Sequence, residues 1–103
     1  MPLTFRTSRK RARHFQDHGS DFDALNEADY ESKAGAFLTN PLNTNTLEGI
    51  RPRDNATIRY NTVTEEYGII SSDGYIRTYY KPDPTLHGLP SNLDYFNDNC
   101  NQV

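Results

Sequence analysis

The 103-residue chain has no tryptophan, one methionine and one cysteine, and only 34% of its residues are hydrophobic. A lone cysteine, Cys100, allows no internal disulfide, so the fold cannot depend on an oxidising compartment. No apolar stretch approaches the roughly 18 residues needed to span a bilayer. The N-terminus lacks the apolar run of a signal peptide, so any export address is expected outside this chain. A P-loop, a dinucleotide glycine pattern, a C-x-x-C pair and a G-x-S-x-G elbow are all missing. Their absence removes most nucleotide- and cofactor-dependent enzymes, and no cofactor is expected.

What remains is aromatic and unevenly charged. Seven Tyr and five Phe supply much of what can be buried, and the length suits one domain over residues 1–103 with one modest core. The net charge of −3 conceals an asymmetry. Arg6, Arg9, Lys10, Arg11 and Arg13 make residues 1–19 basic, whereas residues 20–50 carry six acids against Lys33 alone. Arg51, Arg53, Arg59, Arg77 and Lys81 return the balance to slightly positive before an acidic end. Two basic zones around an acidic one suit a local anion site; residues 6–13 taken alone also read as a solvated basic arm.

Helical signals precede strand signals, which points to an α+β domain. Ser8 to His18 reads as a short helix closed by Gly19 in the left-handed cap conformation, its basic start opposing the helix dipole. Asn26 and Asp29 mark the N-cap and N3 of a second helix, with Leu25 and Tyr30 spaced as a hydrophobic staple. Tyr30, Ala34, Phe37 and Leu38 recur at helical spacing until Asn40-Pro41, and Tyr30, Phe37 and Leu38 are expected in the core. After a polar loop, residues 56–61 alternate, Tyr67 and Ile69 follow, and residues 75–80 are rich in β-formers. Asp73-Gly74 predicts a two-residue hairpin turn closed between Ser72 and Tyr75. That register sets Ile69 opposite Thr78 and Tyr67 opposite Tyr80, with Ile76, Thr78 and Tyr80 on one face and Arg77 and Tyr79 on the other. Arg59 changes face with a single residue of slip. Residues 1–7 are expected to be flexible, and the three prolines after Lys81 predict an irregular tail over residues 83–103.

His14 and His18 stand four apart and share a helix face, with Arg11 behind them. Near-neutral imidazoles can give and take protons without a metal, as RNA cleavage by its own 2′-hydroxyl requires. Two ordinary surface histidines would have the same spacing. A zinc site finds little support, because HFQDH lacks the H-E-x-x-H glutamate and the remaining soft ligands, His87 and Cys100, fall in the tail. No metal is expected. The run from Ile76 to Pro82 places Arg77, Thr78, Tyr79, Tyr80 and Lys81 together. Cations and hydroxyls there suit phosphate, and rings suit unpaired bases. A strand packed on both faces would read the same way.

The segment Arg13-His14-Phe15-Gln16-Asp17-His18-Gly19-Ser20-Asp21-Phe22 resembles the opening of a family of C-terminal toxin domains. These end contact-dependent inhibition proteins, filamentous haemagglutinin-like adhesins and Rhs-type effectors. The similarity continues through Glu27-Ala28-Asp29-Tyr30, Ala36-Phe37-Leu38, Arg59-Tyr60-Asn61 and Tyr67-Gly68, and ends in Asp73-Gly74-Tyr75-Ile76-Arg77-Thr78-Tyr79-Tyr80-Lys81-Pro82. One departure is Asp23, where the family favours a small residue, often Gly.

The resemblance implies the barnase/EndoU/colicin/RelE fold, with N-terminal helices packed on a curved antiparallel sheet of about four strands. It implies a metal-independent endoribonuclease, acting typically on tRNA, delivered from a secreted or cell-surface effector into the cytoplasm of a target bacterium. A cognate immunity protein would protect the producer. The domain itself is expected to act as a monomer and not to bind membranes. Carried over by position, His18 is the first choice for general base or acid with His14 its partner or orienter, Thr78 and Tyr80 position the phosphate, and Arg59 stabilises developing charge. Because RNA affinity rests on phosphate neutralisation, an anionic protein needs a local patch. Arg9, Lys10, Arg11, Arg77 and Lys81 are its expected members, with Arg51 a further cation on a neighbouring strand. A non-catalytic module of the same fold, docking RNA or a protein, is a reading from another class. Growth arrest on induced expression without an immunity protein separates the two. A phage-associated domain of similar shape acting on another substrate is a third reading; growth arrest with tRNA left intact would point to it.

Overall fold

The computed structural model describes residues 3–102. Helix α1, Ser8–His18, takes the sequence-predicted bounds: Thr7 is its N-cap, with Oγ1 accepting from the Lys10 amide at 3.1 Å. Gly19 does not take the left-handed cap. It sits at φ −58 and opens a 3-10 turn, Gly19–Phe22, and the left-handed residue is Asp23 at φ 52. A Cβ on Gly19 would lie 2.6 Å from the Phe15 ring, so close packing demands the glycine there, not backbone handedness. Asp23 occupies the conformation that a glycine would adopt most easily.

Helix α2, Glu27–Thr39, starts as its caps require: Asn26 Oδ1 accepts from the Asp29 amide at 2.8 Å and Asp29 Oδ2 accepts from the Leu25 amide at 2.9 Å. The staple is absent, because Leu25 is 86% exposed whereas Tyr30 is fully buried. Tyr30 turns inward to the sheet, where its hydroxyl donates to the Tyr79 carbonyl.

The sheet consists of β1 (Thr46–Arg51), β2 (Ala56–Asn61), β3 (Tyr67–Ile70), β4 (Ile76–Tyr80) and the two-residue β5 (Asn101–Gln102), in the order β4-β3-β2-β1-β5. Its paired strands are antiparallel throughout. Tyr67 faces Tyr80 and Ile69 faces Thr78, as the sequence predicts. The turn reaches that register by another route. Ser71 and Tyr75 close a loop of Ser72, Asp73 and Gly74, with Gly74 at φ 94. A bulge between Ile69 and Ile70 then restores the pairing beyond it. The consequence is local: Ile76 pairs with Ile70 and joins Tyr79 on the α2 face instead of sharing a face with Ile69.

Two cores lie on the two faces of the sheet. Tyr30, Ala34 and Leu38 of α2 pack with Phe5, Ile76 and Tyr79, and Phe37 is only half-buried at the edge of this cluster. Ala56, Ile58, Tyr60, Tyr67 and Ile69 pack with Phe96 and Cys100 on the other face. Helix α2 comes so near β3 that a Cβ on Gly68 would stand 2.9 Å from Leu38 Cδ2. Gly68→Ala is therefore expected to cost about 1–3 kcal/mol through overpacking, read as a lower urea midpoint at unchanged slope.

Two expectations about the ends are corrected. Residues 1 and 2 lie outside the described residues, and residues 3–7 pack against β4: Phe5 is buried, bridges Ile76 in parallel, and its amide donates to Glu31 Oε2 at 3.0 Å. The tail forms two helices, α3 (Pro84–His87) and α4 (Asn92–Asn99). Pro82 and Pro90 precede the helix caps, and only Pro84 enters a helix, at its start. Pro84 stands in the first turn after the Asp83 cap, where its fixed φ suits the helix and its missing amide costs nothing. Ser91 caps α4 and Phe96 anchors it, fully buried, on the second face of the sheet.

Candidate active site

Helix α1 lies along the β4 edge and turns its Lys10–His14–His18 face toward that strand. The His14 and His18 rings are 6.1 Å apart, and the His18 ring is 5.1 Å from that of Tyr80. His14 leans on Phe5 at 5.1 Å and 22°. Alternation along β4 puts Thr78 and Tyr80 on the α4 face, half-buried at the rim. A cleft of about 380 Å³ opens between Lys10 and His14 on one side and Arg77 and Thr78 on the other, with Arg6 at its end. A second, of about 460 Å³, lies where His18 and Tyr80 meet Tyr95 and His87. Of the sequence-predicted residues, His14 and Thr78 line the first cleft, with Lys10 and Arg77, and His18 and Tyr80 line the second, along the groove between α1 and β4.

The electrostatics of the groove suit proton transfer. Burial, then the neighbouring His18, holds His14 below the ordinary imidazole range, so the ring is neutral at pH 7. Burial and the Tyr95 hydroxyl, 2.7 Å away, push the Tyr80 phenol far above its ordinary value, so it stays a proton donor. Lys10, Arg9, Arg13 and Arg77 form no ion pair among the described residues and are free to meet an anion. Arg6 pairs with Asp73 and lies 4.5 Å over the Tyr75 ring.

Three arginines expected at the site are placed elsewhere. Arg59 projects from the α2 face, opposite Thr78 and Tyr80. Its Nε bonds Glu48 Oε2 at 2.8 Å, and Nη1 donates to the Phe37 and Asn40 carbonyls at 3.2 and 2.7 Å. It therefore closes the C-terminal end of α2, satisfying carbonyls that the helix leaves free. Arg51 is buried and bidentate to Asp54, fixing the β1–β2 turn. Arg11 reaches back to Glu27 at 3.2 Å and Glu31 at 3.7 Å, joining α1 to α2. Lys81 sits beyond Tyr80, 5.6 Å over the Phe22 ring.

Sequence reasoning missed Tyr95, whose ring touches the groove only because the tail is helical. It also left His87 as no more than a spare metal ligand. The Leu89 amide donates to His87 Nδ1 at 3.2 Å, which leaves the proton on Nε2, 2.9 Å from Asn92 Oδ1. Both ring nitrogens are therefore occupied. Among the described residues no three His, Cys, Asp or Glu side chains converge as ligands for a metal ion. The Cys100 thiol is buried, pushed up to about 11, and donates to the Phe96 carbonyl.

No family model matches the sequence, and no curated protein matches it. Among solved structures the chain is similar to a ribonuclease from Escherichia coli complexed with its inhibitor protein. The TM-score is 0.55 at 18% sequence identity, over 84% of this chain and 95% of that one. The likeness is one of fold, with helices on an open antiparallel sheet.

Proposed function

We propose that this domain is a toxin endoribonuclease that cuts RNA by general acid–base catalysis and is neutralised by a cognate immunity protein. The observation that carries the proposal is the groove itself. Two histidines from one helix face a strand edge offering Thr78, Tyr80 and Arg77, with unpaired cations at hand. The ribonuclease of similar fold, which binds an inhibitor protein, agrees with this reading.

In the proposed reaction neutral His14 accepts the proton of the 2′-hydroxyl as that oxygen attacks the adjacent phosphorus. His18 gives a proton to the departing 5′-oxygen. One P–O bond forms and one breaks, leaving a 2′,3′-cyclic phosphate and a 5′-hydroxyl. Lys10 and Arg77 neutralise the phosphorane, and the Thr78 and Tyr80 hydroxyls donate to its oxygens. Arg9 on α1 and Lys81 beyond the end of β4 are further cations for the RNA. The step as written needs no metal, and tRNA is the proposed substrate, met in the cytoplasm of a target cell.

The test is incubation of the purified protein with total bacterial RNA in EDTA. Discrete tRNA-sized fragments with cyclic phosphate ends are expected. Intact RNA at high protein concentration, with and without divalent metal, would leave a non-catalytic binding module in its place.

A further inference from the structure

We infer that the cleft between His18–Tyr80 and His87–Tyr95 is a subsite for one unpaired nucleobase, set beside the phosphate position proposed above. The inference rests on the ribonuclease reading and adds residues from the C-terminal helices to it. Rings gather here: Tyr95 lies 5.2 Å from Tyr67, its hydroxyl is 2.7 Å from that of Tyr80, and His87 stacks on it at 4.4 Å and 12°. His87 is held in that pose by both of its nitrogens, so it serves as a wall and not as an acid or base. Asn92, which fixes it, is itself buried and donates to Glu65 Oε2 at 2.7 Å and to the Pro82 carbonyl at 2.9 Å. A stack anchored this firmly presents rigid ring surface, which is what an unstacked base requires.

Charge separates this cleft from the one at Thr78. The cleft at Thr78 is lined by Arg6, Lys10 and Arg77, whereas this one carries Asp17, Asp21 and Asp83 against Lys81. Carboxylates repel a phosphate but accept from the N–H groups of a base. Leu86, 85% exposed at the rim, offers an apolar surface that covers nothing in the protein itself. Only a base without a pairing partner can enter, so the cut would fall in a loop or single strand.

The experiment titrates the full chain with guanosine, adenosine, cytidine and uridine, and separately with inorganic phosphate, following His and Tyr ring resonances. Nucleosides are expected to move His87 and Tyr95, and phosphate to move His14. Tyr95→Leu is expected to weaken nucleoside binding roughly tenfold or more. Leu86→Asp, at an exposed position that leaves the fold intact, should weaken it as well without altering the phosphate titration. Nucleosides that leave His87 and Tyr95 unmoved, or bind both variants as tightly as wild type, would overturn the inference. Bound nucleosides with RNA left uncut would uphold the subsite and sink the ribonuclease reading. RNA cut by both variants at wild-type rate and position would do the reverse.

Discussion

His18→Ala is expected to lower the RNA cleavage rate by about 10²–10⁴-fold while leaving the unfolding midpoint nearly unchanged. The imidazole is half-buried and packs on Tyr80 without being part of either core cluster, so little stability depends on it. His14→Ala should cost a similar factor. The double variant should cost far less than the product, because an acid and a base serving one proton relay act as a unit. The pH profile distinguishes the two roles. Burial depresses His14, so its neutral, proton-accepting form persists below the ordinary imidazole value of about 6.5. Activity should rise with pH on an acid limb centred below that value. His14→Ala should remove that limb, whereas His18→Ala should lower the rate and keep the limb. A limb that survives in His14→Ala would overturn the assignment, and a flat acid side in wild type would sink it.

The parts of this site that could be read in the sequence are those set by local chemistry. Residues 8–18 announce a helix that puts His14 and His18 on one face whatever the surroundings, and Asn26 with Asp29 fixes where α2 begins. The pairing of Thr78 with Ile69 was legible because alternation on both strands and one glycine turn leave a single register that buries the apolar residues. The bulge beside it was not legible, since a three-residue turn plus one extra residue gives the same pairing downstream as a two-residue turn. Only Ile76 reveals the difference. Arg59 was misplaced because its value lies in partners far along the chain, Glu48 and the Phe37 and Asn40 carbonyls, which nothing in an R-Y-N triplet signals. β1 has Leu47 and Ile50 out of phase around Gly49, so its strand character depends on β2 beside it. The tail did carry signals: Ser91 three residues before Asp94, and Phe96 four before Cys100, spell a capped helix with one apolar stripe.

Tyr30→Ala is expected to be the most damaging single change, at about 3–5 kcal/mol, a large part of the total stability of a domain this small. Tyr30 is fully buried, with Phe5, Phe15, Phe22 and Tyr79 rings 5.8–6.3 Å from its own. Its hydroxyl also answers the Tyr79 carbonyl from inside the core. Tyr30→Phe separates the two contributions: it keeps the ring and orphans that carbonyl, for about 1–3 kcal/mol. Urea unfolding at constant slope should rank wild type, phenylalanine and alanine in that order, and equal midpoints for the first two would deny the buried bond any value. Alkali gives an independent reading. Burial raises the Tyr30 phenol above its unfolded value of about 10, so the folded state gains from the protonated form and loses that stability as pH climbs past it. The phenylalanine variant should lack this part of the alkaline destabilisation. The same residue binds α2 to α1 through Phe15 and to β4 through Tyr79, so it holds the histidine-bearing helix against the strand that carries Thr78 and Tyr80. Tyr30→Phe should therefore reduce RNA cleavage only in proportion to the folded fraction lost. A fall in rate beyond that fraction would show that the groove needs Tyr30 to set its width as well as to keep it folded.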